Sequence, residues 1–288
     1  MRLRTTTLRA FTYTALAGSL LLTTSCKKNS EAANSVADDL ISAQDSGQGD
    51  EENAAVADMV DAAAPQDATA SASATVADLA DLARLMSGCF TRTYDAATRT
   101  LTLDFGRTNC LCPDGRYRRG VITAVFSGPY RQAGAVVTIT HPSYFVNDNQ
   151  HLGTRIITNL GSGSFDLNVQ NASIIFASNG GTTSWSSARR YTRTAGFGTA
   201  TILDDAYSIT GSLTGTNRRN VSYTATIQQP LVKKFTPGCA RHFVSGTIQI
   251  ANSNGRSLLL NYDPTGTAAC DNIASVTING NTHPIVLR

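Results

Sequence analysis

From residue 89 to the C-terminus, apolar and polar residues alternate with a period of two, interrupted by short clusters of Gly, Asn, Asp and Pro. In 99–105, Leu101, Leu103 and Phe105 fall on one side and Thr102 and Asp104 on the other, as in a half-buried strand. The same reading predicts strands at 117–127, 134–140, 153–159, 164–169, 173–177, 181–193, 199–211, 220–228, 242–251, 257–262, 273–278 and 284–287. Between them stand Asn147-Asp148-Asn149, Gly161-Ser162-Gly163, Asn254-Gly255 and Asn279-Gly280-Asn281, residues that tolerate positive φ and close hairpins. No helix-length amphipathic segment separates the strands, which disfavours parallel β-α-β construction. The expected fold is all-β: an antiparallel meander forming a curved sheet, sandwich or barrel with one wet face, preceded by a short N-terminal helix.

That helix is predicted over 76–87, where Val76, Leu79, Ala83 and Met86 recur at helical spacing, Leu82 and Leu85 widen the stripe and Gly88 supplies a stop. Residues 26–75 read differently. Ala, Ser, Asp, Asn, Gln and Gly dominate, and too few large apolar residues are present to offset the entropy of ordering. The expectation is an acidic, disordered tether. The division of the chain is then 1–25 leader, 26–75 tether and 76–288 a single all-β domain with its leading helix.

Charge follows the same division. Between Lys27 and Asp81 there are 12 acidic residues against two lysines; from Arg84 onward there are nine Asp, no Glu and 19 Arg and Lys. The overall +3 hides this split. An acidic segment ahead of a basic domain either contacts it weakly or stays solvated and extended.

The leader carries Arg2, Arg4 and Arg9, an apolar run ending at Leu22, and small residues before Cys26. This is a signal-peptide pattern, too short and too weakly apolar for a permanent span. A Cys at the cut matches a bacterial lipobox, with Thr23 in place of the usual Leu. Cys26 is therefore the expected lipidation site, anchoring the chain to a membrane through acyl groups such as palmitate.

Of the other cysteines, Cys239 and Cys270 flank the last hairpin region and are expected to clamp it. Cys89 can bridge to Cys110 or Cys112, leaving one of five thiols over. Cys110-Leu111-Cys112 lacks the spacing of zinc or thioredoxin-like pairs. The histidines His141, His151, His242 and His283 form no close pair, and those before Pro142 and Pro284 read as loop or edge residues. No catalytic, metal or cofactor motif is expected, and the chain reads as non-enzymatic. A carbohydrate hydrolase would draw its two carboxylates from Asp95, Asp104, Asp166, Asp204, Asp205 and Asp263.

Arg116, Arg118 and Arg119 form a basic cluster beside Tyr117, and Arg189, Arg190 and Arg193 another beside Trp185 and Tyr191, with Arg218 and Arg219 near Tyr223. Arg beside aromatics suits an anionic glycan through ionic bonds and stacking, provided the clusters share one face. In a strand, Arg116 and Arg118 share a side while Tyr117 points away.

Segments Leu103-Asp104-Phe105-Gly106, Asp114-Gly115-Arg116-Tyr117-Arg118-Arg119-Gly120, Tyr144-Phe145-Val146-Asn147 with Gly153-Thr154-Arg155, and Ile209-Thr210-Gly211-Ser212-Leu213-Thr214-Gly215 resemble uncharacterised all-β lipoproteins of Bacteroidetes-type bacteria. Cys270-Asp271-Asn272, Val276-Thr277-Ile278-Asn279-Gly280 and Ser25-Cys26-Lys27-Lys28 add to the resemblance, which spans Cys89 to Arg288. It implies a lipid-anchored all-β envelope protein and brings no catalytic residues; the expected location is the outer membrane, with the leaflet left open. The expected partners are the membrane, through the anchor, and an envelope glycan, lipid or protein. Nucleic acid does not suit an exported, anchored chain. The competing functional readings are the hydrolase and a periplasmic carrier of apolar cargo, which would show a lined cavity.

Overall fold

The computed structural model describes residues 25–65, 89–199, 201–236, 239–240 and 242–287, with side chains from residue 36 onward. The chain divides into two units, Met1–Ser35 and Val36–Arg288. In the first unit the described part is helical backbone, and the leader lies almost wholly outside the described residues, as does the helix predicted over 76–87.

The second unit holds one antiparallel sheet of 14 strands. They are β1 (Thr91–Asp95), β2 (Thr100–Asp104), β3 (Cys110–Leu111), β4 (Tyr117–Phe126), β5 (Val136–Val146), β6 (Asn149–Gly161) and β7 (Ser164–Ile175). There follow β8 (Thr182–Ala195), β9 (Ala206–Thr216), β10 (Ser222–Lys234), β11 (Phe243–Asn252), β12 (Ser257–Asn261), β13 (Ile273–Ile278) and β14 (Asn281–Val286). Each pairs with its neighbour in sequence, except that β2 pairs with β4 and the short β3 adds to β4. Among the described residues the sheet does not close: β1 pairs with β2 alone and β14 with β13 alone. The meander is thus a curved open sheet rather than a closed barrel.

Two-residue hairpins set the register where the sequence signals them. Asn147-Asp148, Ser162-Gly163 and Asn279-Gly280 all have positive φ at both positions, the geometry that matches strand twist. The strands run longer than alternation alone indicates. His141-Pro142 does not end β5; the strand continues to Val146 across a register shift between Thr140 and Tyr144, and a bulge is where a strand tolerates proline. Gly211 bends β9 at φ +121°, where a Cβ would sit 2.1 Å from the Ala188 carbonyl oxygen.

Over 26–65 the tether expectation is corrected; its remainder, 66–75, lies outside the described residues. Residues Ser25–Ala63 form one helix, α1, and from Asp45 to Ala63 most side chains on every side of it are buried. A helix polar all round has no stripe with which to lie on an ordinary core. This one is ordered because the sheet wraps it. Gly47 and Gly49, read from sequence as marks of disorder, are contact points: a Cβ at Gly49 would lie 3.2 Å from the Trp185 indole, and one at Gly47 2.9 Å from Leu287. Each glycine costs a helix about 1 kcal/mol relative to Ala; close seating on Trp185 and Leu287 offsets it. Further along, Val56, Met59 and Val60 join the core built by Leu101, Ile122, Ile157, Leu167, Ile248 and Leu260.

Two disulfides tie the sheet's margins. Cys89–Cys110 fastens the entry to β1 onto β3, and Cys239–Cys270 joins the segment before β11 to the one before β13. Cys112 is the free thiol, buried, and burial pushes its pKa up despite the neighbouring Arg118, which leaves it unreactive. With Cys110 bridged, Cys110 and Cys112 form no metal or redox pair.

Candidate functional site

The concave side of the sheet is basic and aromatic, and α1 fills it with acid. All eight acidic residues of 36–63 meet a basic side chain of the β unit. Asp38 pairs with Arg219 at 3.0 Å and Asp39 with Arg256 at 2.5 Å, with Asn252 also donating to Asp39. Asp45 takes the Arg218 guanidinium and its backbone N–H. Arg189 donates twice to Asp50, at 3.0 and 2.7 Å, the bidentate geometry that makes Arg–carboxylate bonds strong. His242 lies 2.9 Å from Glu51, Arg116 donates to Glu52 at 2.7 Å, Lys233 to Asp58 at 2.8 Å, and Arg131 stands 3.3 Å from Asp61.

Burial makes these contacts consequential. Arg116, Glu52, Arg189 and Asp50 are each under 5% exposed. Removing ions from water is expensive, and only close pairing with further hydrogen bonds repays it. Burial pushes the Glu52 carboxyl up, but Arg116, His151, Arg118 and Arg155 together hold it below the usual range. At Asp58 burial wins over Lys233, and its pKa rises to about 6.

The residues nominated from sequence separate by strand side. Arg116, Arg118, Trp185, Arg189 and Tyr191 face inward and are buried. Arg119 and Arg190 point outward: Arg119 pairs with Asp148 and stacks on Phe145, and Arg190 makes two 2.8 Å bonds to Asp166. Arg193 pairs with Asp205. The expected exposed Arg–aromatic patch is therefore corrected. Five of its members do share a face, but that face is covered by α1. Period two predicted the sharing; it carries no information on which side the chain's own acidic segment occupies.

Around Glu52 the interior polar residues form a cluster. Arg118 makes a bidentate pair with Asp114 (2.8 and 2.6 Å) and donates to the Tyr144 hydroxyl at 3.0 Å. His151 Nδ1 stands 3.6 Å from Glu52. His141, read from sequence as a loop residue, is 1% exposed; its Nδ1 is 3.0 Å from the His151 carbonyl oxygen and its Nε2 contacts Arg155. Burial, then Arg155, drives the His141 pKa down to about 3; burial also takes His151 to about 4, against the opposing pull of Glu52. Both rings are neutral at pH 7.

The carboxylates available to a hydrolase are engaged at separate places. Asp95 caps the β1–β2 turn through Ala97 and Thr98, Asp104 holds Gly106, and Asp263 holds the backbone of Thr267 and Ala268. Asp166 and Asp205 are ion-paired, and Asp204 accepts from Thr199. A solvent-reaching cleft of about 460 Å³ opens beside α1 where Glu52, Arg116 and His151 meet the β5–β6 turn. No protein-family model, curated protein or solved structure matches the chain.

Proposed function

We propose that the protein is a lipid-anchored, non-enzymatic module of a bacterial cell envelope, held at the outer membrane through acylated Cys26, that binds an anionic envelope glycan, lipid or protein. The observation supporting the non-enzymatic part of this reading is the internal neutralisation of the basic sheet by the acidic helix. The charges are held in pairs and the carboxylates serve ion pairs and turns, as suits a binding scaffold more than a hydrolase. An apolar carrier is less well supported, because α1 occupies the concavity that cargo would need. The resemblance to Bacteroidetes-type lipoproteins and the lipobox both favour the anchor. Cleavage before Cys26 would remove only the first residue of α1, so maturation is compatible with the helix.

The test is mass spectrometry of the protein from cells fed a labelled palmitate analogue. An acylated N-terminal Cys26, lost together with membrane association in Cys26→Ala, is the expected result. A mature N-terminus elsewhere without label overturns the anchor.

A further inference from the structure

The cleft beside α1 holds polar groups that the fold leaves unused. Gln44, Gln48 and Glu52 follow one another at i, i+4 and i+8 and so form one stripe of the helix, and all three line it. Arg116 and His151, 3% and 2% exposed, line it from the sheet. Arg116 Nη2 and both ring nitrogens of His151 have no hydrogen-bond partner among the described residues. Buried polar atoms are ordinarily paired, and each orphan is costly. Here three such atoms, sealed from solvent, belong to two residues that line the cleft.

Charge points the same way. Near the cleft, Arg116, Arg118 and Arg155 face the two carboxylates Glu52 and Asp114. Arg155 is 1% exposed, and its side-chain partner is the His141 ring, not a carboxylate. Three buried guanidinium groups thus share two carboxylates, with Glu52 acting on Arg155 as well as on Arg116, an excess of positive charge that favours an anion. Because His151 is neutral at pH 7, it offers one donor and one acceptor.

The remaining lining selects against a bare anion. Asn147 and Asn149 have their side-chain carbonyls fixed by the backbone N–H groups of Tyr117 and Ala177, so their amino groups are the donors left over. Phe176, with the Arg218 guanidinium 4.0 Å from its ring centre, contributes an apolar wall. About 460 Å³ falls in the range of small-molecule sites, roughly 300–1,000 Å³, and far exceeds a phosphate or acetate. Planar amides at several heights, a guanidinium and a ring wall suit a hydroxylated ring bearing one carboxylate.

We propose that this cleft binds a hexuronic acid or the uronic-acid unit of an acidic saccharide, its carboxylate on Arg116 and its hydroxyls on Gln44, Gln48, His151 and the two asparagines. This deepens the envelope-binding reading and rests on its glycan branch. The experiment is isothermal titration of the full chain with D-glucuronate, D-glucose, acetate and inorganic phosphate, repeated on Gln48→Glu and on Gln170→Glu, an outward position on β7. Arg116 is avoided because losing its pair with Glu52 endangers folding. Glucuronate is expected to bind one-to-one and at least about tenfold tighter than the other three, with about a tenfold loss in Gln48→Glu, none in Gln170→Glu, and unchanged melting temperatures. Absence of saturable glucuronate binding, equal binding of glucose, acetate or phosphate, or an unaffected Gln48→Glu overturns the proposal. Acylation of Cys26, measured separately, tells a failed cleft from a failed anchor.

Discussion

The two faces of the sheet meet opposite demands. On the outer face, Thr93, Thr102, Thr123, Thr140 and Thr154 lie opposite one another in register across five strands, and Ser184, Thr216 and Ser222 across three more. Branched hydroxyl side chains suit a pleated, wetted surface and ask little of their neighbours. On the inner face stand Arg116, Arg118, Arg155, Arg189 and Lys233, all nearly inaccessible, each dependent on a particular partner. In this protein a large share of the ionic chemistry is inside and much of the undemanding polarity outside. Mutational sensitivity should follow that inversion.

The sharpest way to break the comparison is Asp50→Ala, which leaves Arg189 buried without its carboxylate. A loss of about 3–5 kcal/mol is expected by urea unfolding, largely restored in Asp50→Leu/Arg189→Met, where both charges are gone. A loss below about 1 kcal/mol in the single variant would show that the inner pairs contribute little.

Overpacking the seam comes next. Gly49→Leu drives a side chain into the Trp185 indole and should cost about 1–3 kcal/mol, accompanied by a change in tryptophan emission. If stability is unchanged, α1 does not seat on Trp185.

Acid should act through the interior as well. His151 has a folded pKa near 4 against an ordinary 6.5, so in that window the unfolded chain binds the extra proton. Stability from this group is full above about pH 6.5 and falls as pH drops toward 4. Asp58 works the other way: its raised pKa near 6 withdraws stability as pH rises from about 4 to 6. Unfolding at pH 7 and 5 should show the wild type losing about 1–2 kcal/mol more than His151→Gln; parallel losses would mean the ring is already charged.

The smallest effect belongs outside. Thr140→Ala on the outer row should stay within about 0.5 kcal/mol, and a cost above 1 kcal/mol would remove the contrast between the faces.

Sequence made the sheet legible and left the helix obscure, for one reason. Alternation at Leu101, Leu103 and Phe105 or at Trp185, Arg189 and Tyr191 reports directly on which residues share a side, because strand burial is periodic in two. Asn-Asp, Ser-Gly and Asn-Gly hairpins report on local φ, and the spacing of Cys239 and Cys270 around a hairpin marked their bridge. Residues 36–63 have no such local signature. Their acidic side chains find partners more than 60 residues away, such as Arg116 for Glu52. The trace of it was the charge split itself, eight acids ahead of a basic domain, which composition alone could not distinguish from a solvated tether. The cleft was invisible for the same reason: its stripe of Gln44, Gln48 and Glu52 becomes one only once the segment is helical.

Chain order has a consequence for how the molecule is built. Strand after strand pairs with its immediate predecessor, so the sheet can zip up from short-range encounters, which are fast. Asp39, in contrast, meets Arg256 across 217 residues and Asp50 meets Arg189 across 139. The helix precedes the sheet in the chain, and its farthest partners follow most of the strands. Assembly must therefore run at two tempos, with α1 waiting, uncommitted and anionic, until the final hairpins arrive to enclose it.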